Sequence, residues 1–243
     1  MKVLIAAPIH EVLHKGLEEK GYQLVYALDI SQATSKQIVA DVTGIITSTR
    51  LQIDKEWIDA APQLKWIGRM GSGMEVIDMV YAKEKSIKCF SSPEGNCNAV
   101  GEHALGMLLS LTKKIVVSNA EVKNNEWLRE ENRGIELEGK TIGIIGYGHT
   151  GKALAKKIRG FDMQVLVYDK YKQDEVDATI TFCHDLEPIY THADIVSFHV
   201  PLLPDTYHYF NPAFLASMKK SFIVVNTSRG TVVDSDALIK GLE

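Results

Sequence analysis

The chain has 243 residues, 45% hydrophobic and 24% charged, the make-up of a soluble globular protein with one large or two modest domains. A net charge of −4 with scattered lysines and arginines argues against a nucleic-acid surface, and no apolar run approaches the roughly 18 residues of a membrane span. The run Val3 to Ala7 is too short for a secretory signal core, and the cysteines Cys89, Cys97 and Cys183 share no metal-ligand spacing. A cytoplasmic protein with reduced thiols and no metal, nucleic-acid or membrane partner is expected.

In chain order, short β-runs fall near 2–6, 22–26, 44–47, 65–69 and 88–91, with helical stretches near 10–20, 32–40, 54–60 and 75–85. Such alternation implies an α/β fold with parallel strands and helices on both faces. Residues 1–97 are expected to form a small flavodoxin-like domain, and residues 98–243 a second domain. The turn formers Ser91 to Asn96 read as the break between them. A helix is expected from Asn98, as N-cap, through Lys114. It is apolar over more than one stripe (Val100, Ala104, Leu105, Leu108, Leu109, Leu111), so it is buried in a core or against another subunit. Residues 121–139 read as charged and irregular.

The run 143–151, Gly-Ile-Ile-Gly-Tyr-Gly-His-Thr-Gly, sets Gly146, Gly148 and Gly151 in G-x-G-x-x-G spacing. The β-run Thr141 to Ile145 precedes it and an amphipathic helix start, Lys152 to Ile158, follows. That context separates a dinucleotide-binding turn from a chance match. The first glycine permits the tight turn, the second lets a pyrophosphate approach the backbone, and the third allows close helix–strand packing. The helix N-terminus then offers N–H groups and a positive dipole end. A second β-run, Met163 to Tyr168, ends in Asp169, about 20 residues past the glycines, where a carboxylate accepts ribose hydroxyls and repels a 2′-phosphate. NAD is therefore expected over NADP. Lys170 and Lys172 read as solvated charges.

Three more β-runs follow, Thr179 to Phe182, Ile195 to His199 and Phe222 to Asn226. The prolines of His199-Val-Pro-Leu-Leu-Pro-Asp-Thr206 turn the chain away from the ladder. Asn226-Thr-Ser-Arg229-Gly230 ends the last run. Ligands of open α/β sheets bind at the carboxyl ends of the strands, so His199 and Arg229 are expected to face the glycine turn's crevice.

The glycine turn with Asp169, His199-Val-Pro-Leu, Met218-Lys-Lys, Asn226-Thr-Ser-Arg-Gly and Val233-Asp234 together resemble the D-isomer-specific 2-hydroxyacid dehydrogenases. Gly71-Ser72-Gly73 with Asp78 is similar to that family's substrate loop, and Asn96 to His103 to the start of its interdomain helix. The resemblance implies a Rossmann doubly wound parallel sheet, preceded by a smaller flavodoxin-like substrate domain, with the active site in the cleft between them. It implies NAD-dependent hydride transfer at C2 of a D-2-hydroxy acid or 2-keto acid, and a homodimer through the apolar helix. Arg229 would be the catalytic residue, gripping the substrate carboxylate as a planar guanidinium does well. Backbone N–H groups of Gly71, Ser72 and Gly73 would bind the same carboxylate. His149 and Thr150 would line the pyrophosphate turn, His199, Val200, Pro201 and Thr206 would wall the nucleotide pocket, and Thr227 and Ser228 would lie beside the nicotinamide. Glu102 and His103 read as structural.

The resemblance also implies a proton-transfer histidine and an orienting glutamate beyond the helix that begins near Asp234, further along than Glu243. The chain is therefore expected to be part of a longer dehydrogenase, with little turnover on its own, since a positioned acid–base group contributes typically about 10²–10⁴-fold. Ser48 stands where many relatives carry an arginine facing the distal end of the substrate, which leaves Arg50 or Arg69 for a phosphorylated acid such as 3-phosphoglycerate. Two alternatives stay open: a non-catalytic NAD-binding sensor, and an NAD enzyme of the adenosylhomocysteinase type. The Asn-Thr-Ser-Arg-Gly run argues against the second.

Overall fold

In the computed structural model, which describes residues 1–172 and 178–242, the chain divides into two units, Met1–Asn96 and Cys97–Glu243. The first unit runs β1 (Lys2–Ile5), α1 (Glu11–Glu19), β2 (Gln23–Tyr26), α2 (Gln32–Gln37), β3 (Val42–Thr47), α3 (Lys55–Asp59), β4 (Trp66–Arg69), α4 (Met79–Glu84) and β5 (Lys88–Phe90). Its five strands are parallel in the order β2-β1-β3-β4-β5, the flavodoxin-like arrangement. Alternation along β1 builds both faces. Val3 and Ile5 pack with Leu17 of α1, while Leu4 joins Trp57 and Ile58 of α3 and Ala82 of α4. Both faces are thus covered, as a parallel sheet requires.

The helix expected over 75–85 begins only at Met79. Val76 and Ile77 are instead drawn into extended pairing with Ile53, and Asp78 caps α4 by accepting the Tyr81 N–H at 2.9 Å. Of the break read at Ser91 to Asn96, Ser91 to Pro93 lie outside any helix and Glu94 to Asn96 open one. α5 (Glu94–Thr112) opens just after Pro93, and the Gly95 N–H donates to the Ser92 carbonyl at 3.2 Å. Proline suits a first turn, whose N–H groups have no helical partner anyway. Asn98 is therefore inside α5 and does not cap it; its side chain donates to Glu102 at 2.9 Å and accepts from Lys157 at 2.7 Å.

The second unit continues with α6 (Ile115–Lys123), β6 (Thr141–Ile145), α7 (His149–Ile158), β7 (Gln164–Tyr168), β8 (Thr181–Phe182), α8 (Glu187–His192), β9 (Ile195–Phe198), α9 (Pro212–Ser217), β10 (Ile223–Asn226) and α10 (Ser235–Leu242). Its five strands are parallel in the order β10-β9-β6-β7-β8. Counted from β6 this is 3-2-1-4-5 read from the other edge, the Rossmann order, which reverses at β6. Ile142 and Ile144 face Leu154 and Ile158 of α7 and Ala104 and Leu108 of α5. Ile145 and Phe198 face Ile189, Phe210 and Phe214 on the opposite side.

The expected burial of α5 holds for one face only. Ala104 and Leu108 are buried, but Met107 and Leu111 are exposed, as are Ile115, Val116 and Val117 of α6. Lys114, left-handed at φ 52°, separates the two helices, and Glu121 to Lys123 complete α6 where irregular chain was expected. Among the described residues no helix is long and apolar enough to cross a membrane.

Candidate functional site

The site is built on the turn after β6. Gly146 has φ +93°, and a Cβ there would lie 2.7 Å from the His199 carbonyl oxygen. Gly151, in the first turn of α7, is more restricted still: a Cβ would stand 2.2 Å from the Gly146 carbonyl oxygen. Helix and strand therefore approach as only glycine allows. Gly148 differs from both. A Cβ there would meet nothing within 4 Å, and as N-cap it offers α7 no side-chain hydrogen bond. His149, Thr150 and Gly151 open the ten-residue α7 behind it. The turn thus leaves a bare, positively polarised helix end beside open space, which fits the pyrophosphate of a dinucleotide.

A cavity of ≈ 380 Å³ lies over this turn at the carboxyl ends of three neighbouring strands. It brings together seven of the predicted residues: Gly146 and Gly148 after β6, Asp169 after β7, and His199, Val200, Pro201 and Thr206 after β9. Its volume is in the range of small-molecule sites. Asp169 is pinned there by two backbone donors, the Tyr147 N–H at 2.6 Å and the Tyr171 N–H at 2.8 Å. A carboxylate has about four acceptor positions, so acceptor capacity remains on Asp169 for hydroxyls. Thr206 braces the opposite wall: its hydroxyl donates to the Pro201 carbonyl at 2.6 Å and accepts the Leu203 N–H at 2.7 Å.

His199 is buried in this wall with both ring nitrogens engaged, Nε2 2.8 Å from the Ser197 hydroxyl and Nδ1 2.7 Å from the Thr227 hydroxyl. The Thr227 hydroxyl donates to the Phe198 carbonyl at 3.1 Å. It therefore accepts from Nδ1–H, and Nε2 accepts from Ser197, which assigns the neutral Nδ1–H tautomer. Burial pulls the ring pKa down to about 4. A neutral imidazole with both nitrogens occupied is a wall and not a base.

Thr227, Ser228 and Arg229 follow β10 and are not among the residues lining the cavity. Thr227 reaches it through His199, as above. The Ser228 N–H donates to the Asn226 side chain at 3.0 Å, and its hydroxyl oxygen is buried without a partner. Arg229 is half-buried and donates to the Ser228 carbonyl at 2.9 Å. In the first unit, Gly71 has φ +135°, and a Cβ there would stand 1.6 Å from Nη1 of Arg69, so the Arg69 guanidinium lies against the loop of Gly71, Ser72 and Gly73. Arg69 is buried and its Nε has no hydrogen-bond partner. Arg50 instead donates to the Leu28 carbonyl and to Asp29 at 3.0 Å.

Sequence reasoning missed four residues around the cavity. The Tyr147 backbone holds Asp169, and Tyr209 lines the cavity, its hydroxyl pKa pushed up by burial. Lys170 pairs across the cavity rim with Asp205 at 2.7 Å. Lys172 donates to the Tyr147 carbonyl at 3.2 Å. Lys170 is exposed, the solvated surface charge expected, though it is paired; Lys172 is half-buried against the turn, because an ammonium finds the nearest carboxylate or carbonyl.

Residues 105–243 match the family described as D-isomer specific 2-hydroxyacid dehydrogenase, NAD binding domain. The chain belongs to this family. D-isomer specific 2-hydroxyacid dehydrogenases similar to it include the D-3-phosphoglycerate dehydrogenase of Methanocaldococcus jannaschii, 33% identical over the whole chain and 47% of that protein. The hydroxypyruvate reductase of Thermotoga maritima is 33% identical over 91% of this chain and 74% of its own. Among solved structures, the D-lactate dehydrogenase of Aquifex aeolicus, complexed with NAD and lactic acid, superposes with a TM-score of 0.85 at 26% identity, covering 100% of this chain and 73% of that one. The chain spans about half the length of the phosphoglycerate dehydrogenases it matches. NAD is the cofactor of this family's domain, and the glycine turn and Asp169 fit it.

Proposed function

We propose that this chain carries the cofactor-binding and substrate-gripping parts of an NAD-dependent D-2-hydroxyacid dehydrogenase. When bound, NAD supplies a nicotinamide C4 that exchanges a hydride with C2 of the acid. The N–H end of α7 and Gly148 hold the pyrophosphate, and Asp169 accepts the ribose hydroxyls. Val200, Pro201 and Thr206 wall the nucleotide, while Thr227 and Ser228 sit beside the nicotinamide. Arg229 donates paired charge-assisted hydrogen bonds to the substrate carboxylate and polarises the C2 oxygen. In the first unit (residues 1–97 as the substrate domain, residues 98–243 as the cofactor domain) backbone N–H groups of Gly71, Ser72 and Gly73 serve as carboxylate donors. Buried Arg69, its Nε without a partner, supports an acid with a second anionic group. The whole enzyme is cytoplasmic, consistent with cysteines that form no disulfide. It is a homodimer through the exposed apolar residues of α5 and α6.

The observation that carries this reading is the set of three glycines, two forbidding a side chain and one facing open space beside an uncapped helix. The test is a panel of 2-keto acids (glyoxylate, hydroxypyruvate, pyruvate and 3-phosphohydroxypyruvate) with NADH, read by loss of absorbance. We expect NADH binding by the chain and NADH-dependent turnover of at least one of these acids by the enzyme that carries it. No NADH binding would end the proposal. Binding without turnover in any form would favour the non-catalytic NAD sensor. Sedimentation over a concentration series tests the dimer, and a Leu111→Glu exchange should yield monomer.

A further inference from the structure

Cofactor choice at the end of β7 involves more than Asp169. Two lysines follow it, and a cation placed there is what a 2′-phosphate would use. The phosphate carries nearly two negative charges at neutral pH, so a free ammonium beside Asp169 would offset much of the repulsion that disfavours NADP. Neither lysine is free for that. Lys172 donates to the Tyr147 carbonyl at 3.2 Å, and the Lys170 ammonium lies 2.7 Å from Oδ2 of Asp205.

Asp205 comes from the segment after β9 and meets Lys170 at the rim of the cavity that Asp169 also lines. Its neighbour Thr206 is buried, with its hydroxyl tied to Pro201 and Leu203, so the backbone that presents Asp205 is braced. The hydrogen bond from Lys170 holds the Asp205 carboxyl below its ordinary pKa, and the same bond raises that of Lys170. Both stay charged. The three rim side chains then sum to one negative charge; with an uncharged residue at 205 they would sum to none.

Resting on the NAD reading above, we propose that Asp205 is a positioning residue for cofactor choice: it holds the Lys170 ammonium away from the ribose 2′ position, so that NAD is taken in preference to NADP. Its effect is exerted through Lys170, and the two residues act with opposite sign. Without Asp205, Lys170 is released towards a 2′-phosphate. Without Lys170, a second carboxylate is left unneutralised at the rim.

The test is fluorescence titration of the 243-residue protein with NADH and with NADPH, for wild type, Asp205→Asn, Lys170→Ala and the double variant. Melting curves establish that each is folded. The readout is the ratio of the NADPH to the NADH dissociation constant. We expect it to fall about fivefold in Asp205→Asn, the scale of one exposed charge pair, and to rise in Lys170→Ala. The double variant should lie above Asp205→Asn, because the released cation is gone. An unchanged ratio in Asp205→Asn, or both single variants moving it the same way, would overturn the inference, as would equal weakening of both cofactors. Should Asp205→Asn fail to fold, Asp205→Ser carries the same expectation. A wild-type protein that binds neither cofactor would overturn the NAD reading itself, an outcome distinct from an unmoved ratio.

Discussion

The two units share one layered plan and differ at the helix that follows the first strand of each. In the first unit β1 leads through Ala6 and Ala7, both buried, to α1, whose N-terminus is capped by His10 accepting the Val12 N–H at 3.2 Å. In the second, β6 leads through Gly146 to α7, whose cap is Gly148 and makes no side-chain bond. Both helices stand at the carboxyl edge of a parallel sheet near its order reversal. One has used its own side chain on the end that a phosphate needs; the other has left it bare. Architecture offers the crevice in both units, and local residues decide which becomes a cofactor site.

The strongest break in this comparison comes from filling the tight glycines. Gly151→Ala puts a methyl 2.2 Å from the Gly146 backbone carbonyl oxygen, so the backbone itself must shift. We expect a loss of about 3 kcal/mol or more in stability of the second unit and no measurable NADH binding. The counterpart in the first unit is Gly44→Ala, whose Cβ would stand 2.1 Å from the Trp66 ring. It should destabilise the first unit by a similar amount while the second still binds NADH. Two-probe thermal melts with NADH titration separate the cases, and equal loss of binding in both would sink the distinction.

Gly148→Asp sharpens the contrast, since a side chain fits there and the backbone is extended. The new carboxylate would cap α7 much as His10 caps α1, adding a few tenths of a kcal/mol to stability. It would also fill the pyrophosphate position with negative charge. NADH affinity should fall by about 100-fold, the size of a lost charge-assisted contact with repulsion added. Stability and binding then move in opposite directions, which unfolding and titration of one sample would reveal.

The pH response of the second unit follows from His199. Its folded pKa is about 4, against about 6.5 in the unfolded chain. Between those values the unfolded state holds more protons, so stability rises with pH. The contribution is complete above about pH 6.5 and lost as pH falls through about 4, a swing of about 3 kcal/mol. Urea unfolding at pH 7, 5.5 and 4.5 should trace it, and His199→Gln should flatten the slope. An unaltered slope in that variant would place the titrating group elsewhere.

What was legible in the sequence was local. Gly146, Gly148, Gly151 and Asp169 stand at fixed spacing on one strand–turn–helix–strand unit; Gly146, Gly148 and Asp169 line one cavity, and Gly151 packs α7 against Gly146. Contacts across the chain were not legible. Lys170 is the surface charge its sequence suggests, but its pairing with Asp205 was not legible, because Asp205 lies on a different strand's loop. Asn98 has the composition of a cap, yet Pro93 starts α5 a turn earlier and turns Asn98 towards Lys157 of α7. The pairing of Arg50 with Asp29, 21 residues before it, was likewise not legible. Propensity speaks for neighbours in sequence, and tertiary partners override it.

The smallest expected effect lies at the cap of α1. His10 is exposed, and its Nδ1 accepts a single N–H at 3.2 Å, so His10→Ala should cost the first unit about 0.5 kcal/mol and leave NADH affinity unchanged. His10→Ser, with a preferred capping hydroxyl, should recover at least that much. The more telling exchange is His10→Gly, which empties the cap as Gly148 does in α7. A bare helix end alone should still not bind NADH in the first unit, because Ala6 and Ala7 occupy the turn where the second unit has Gly146 at φ +93°. If a second NADH equivalent bound to His10→Gly, the uncapped N-terminus by itself would suffice, and the glycine turn would matter only for fitting helix to strand.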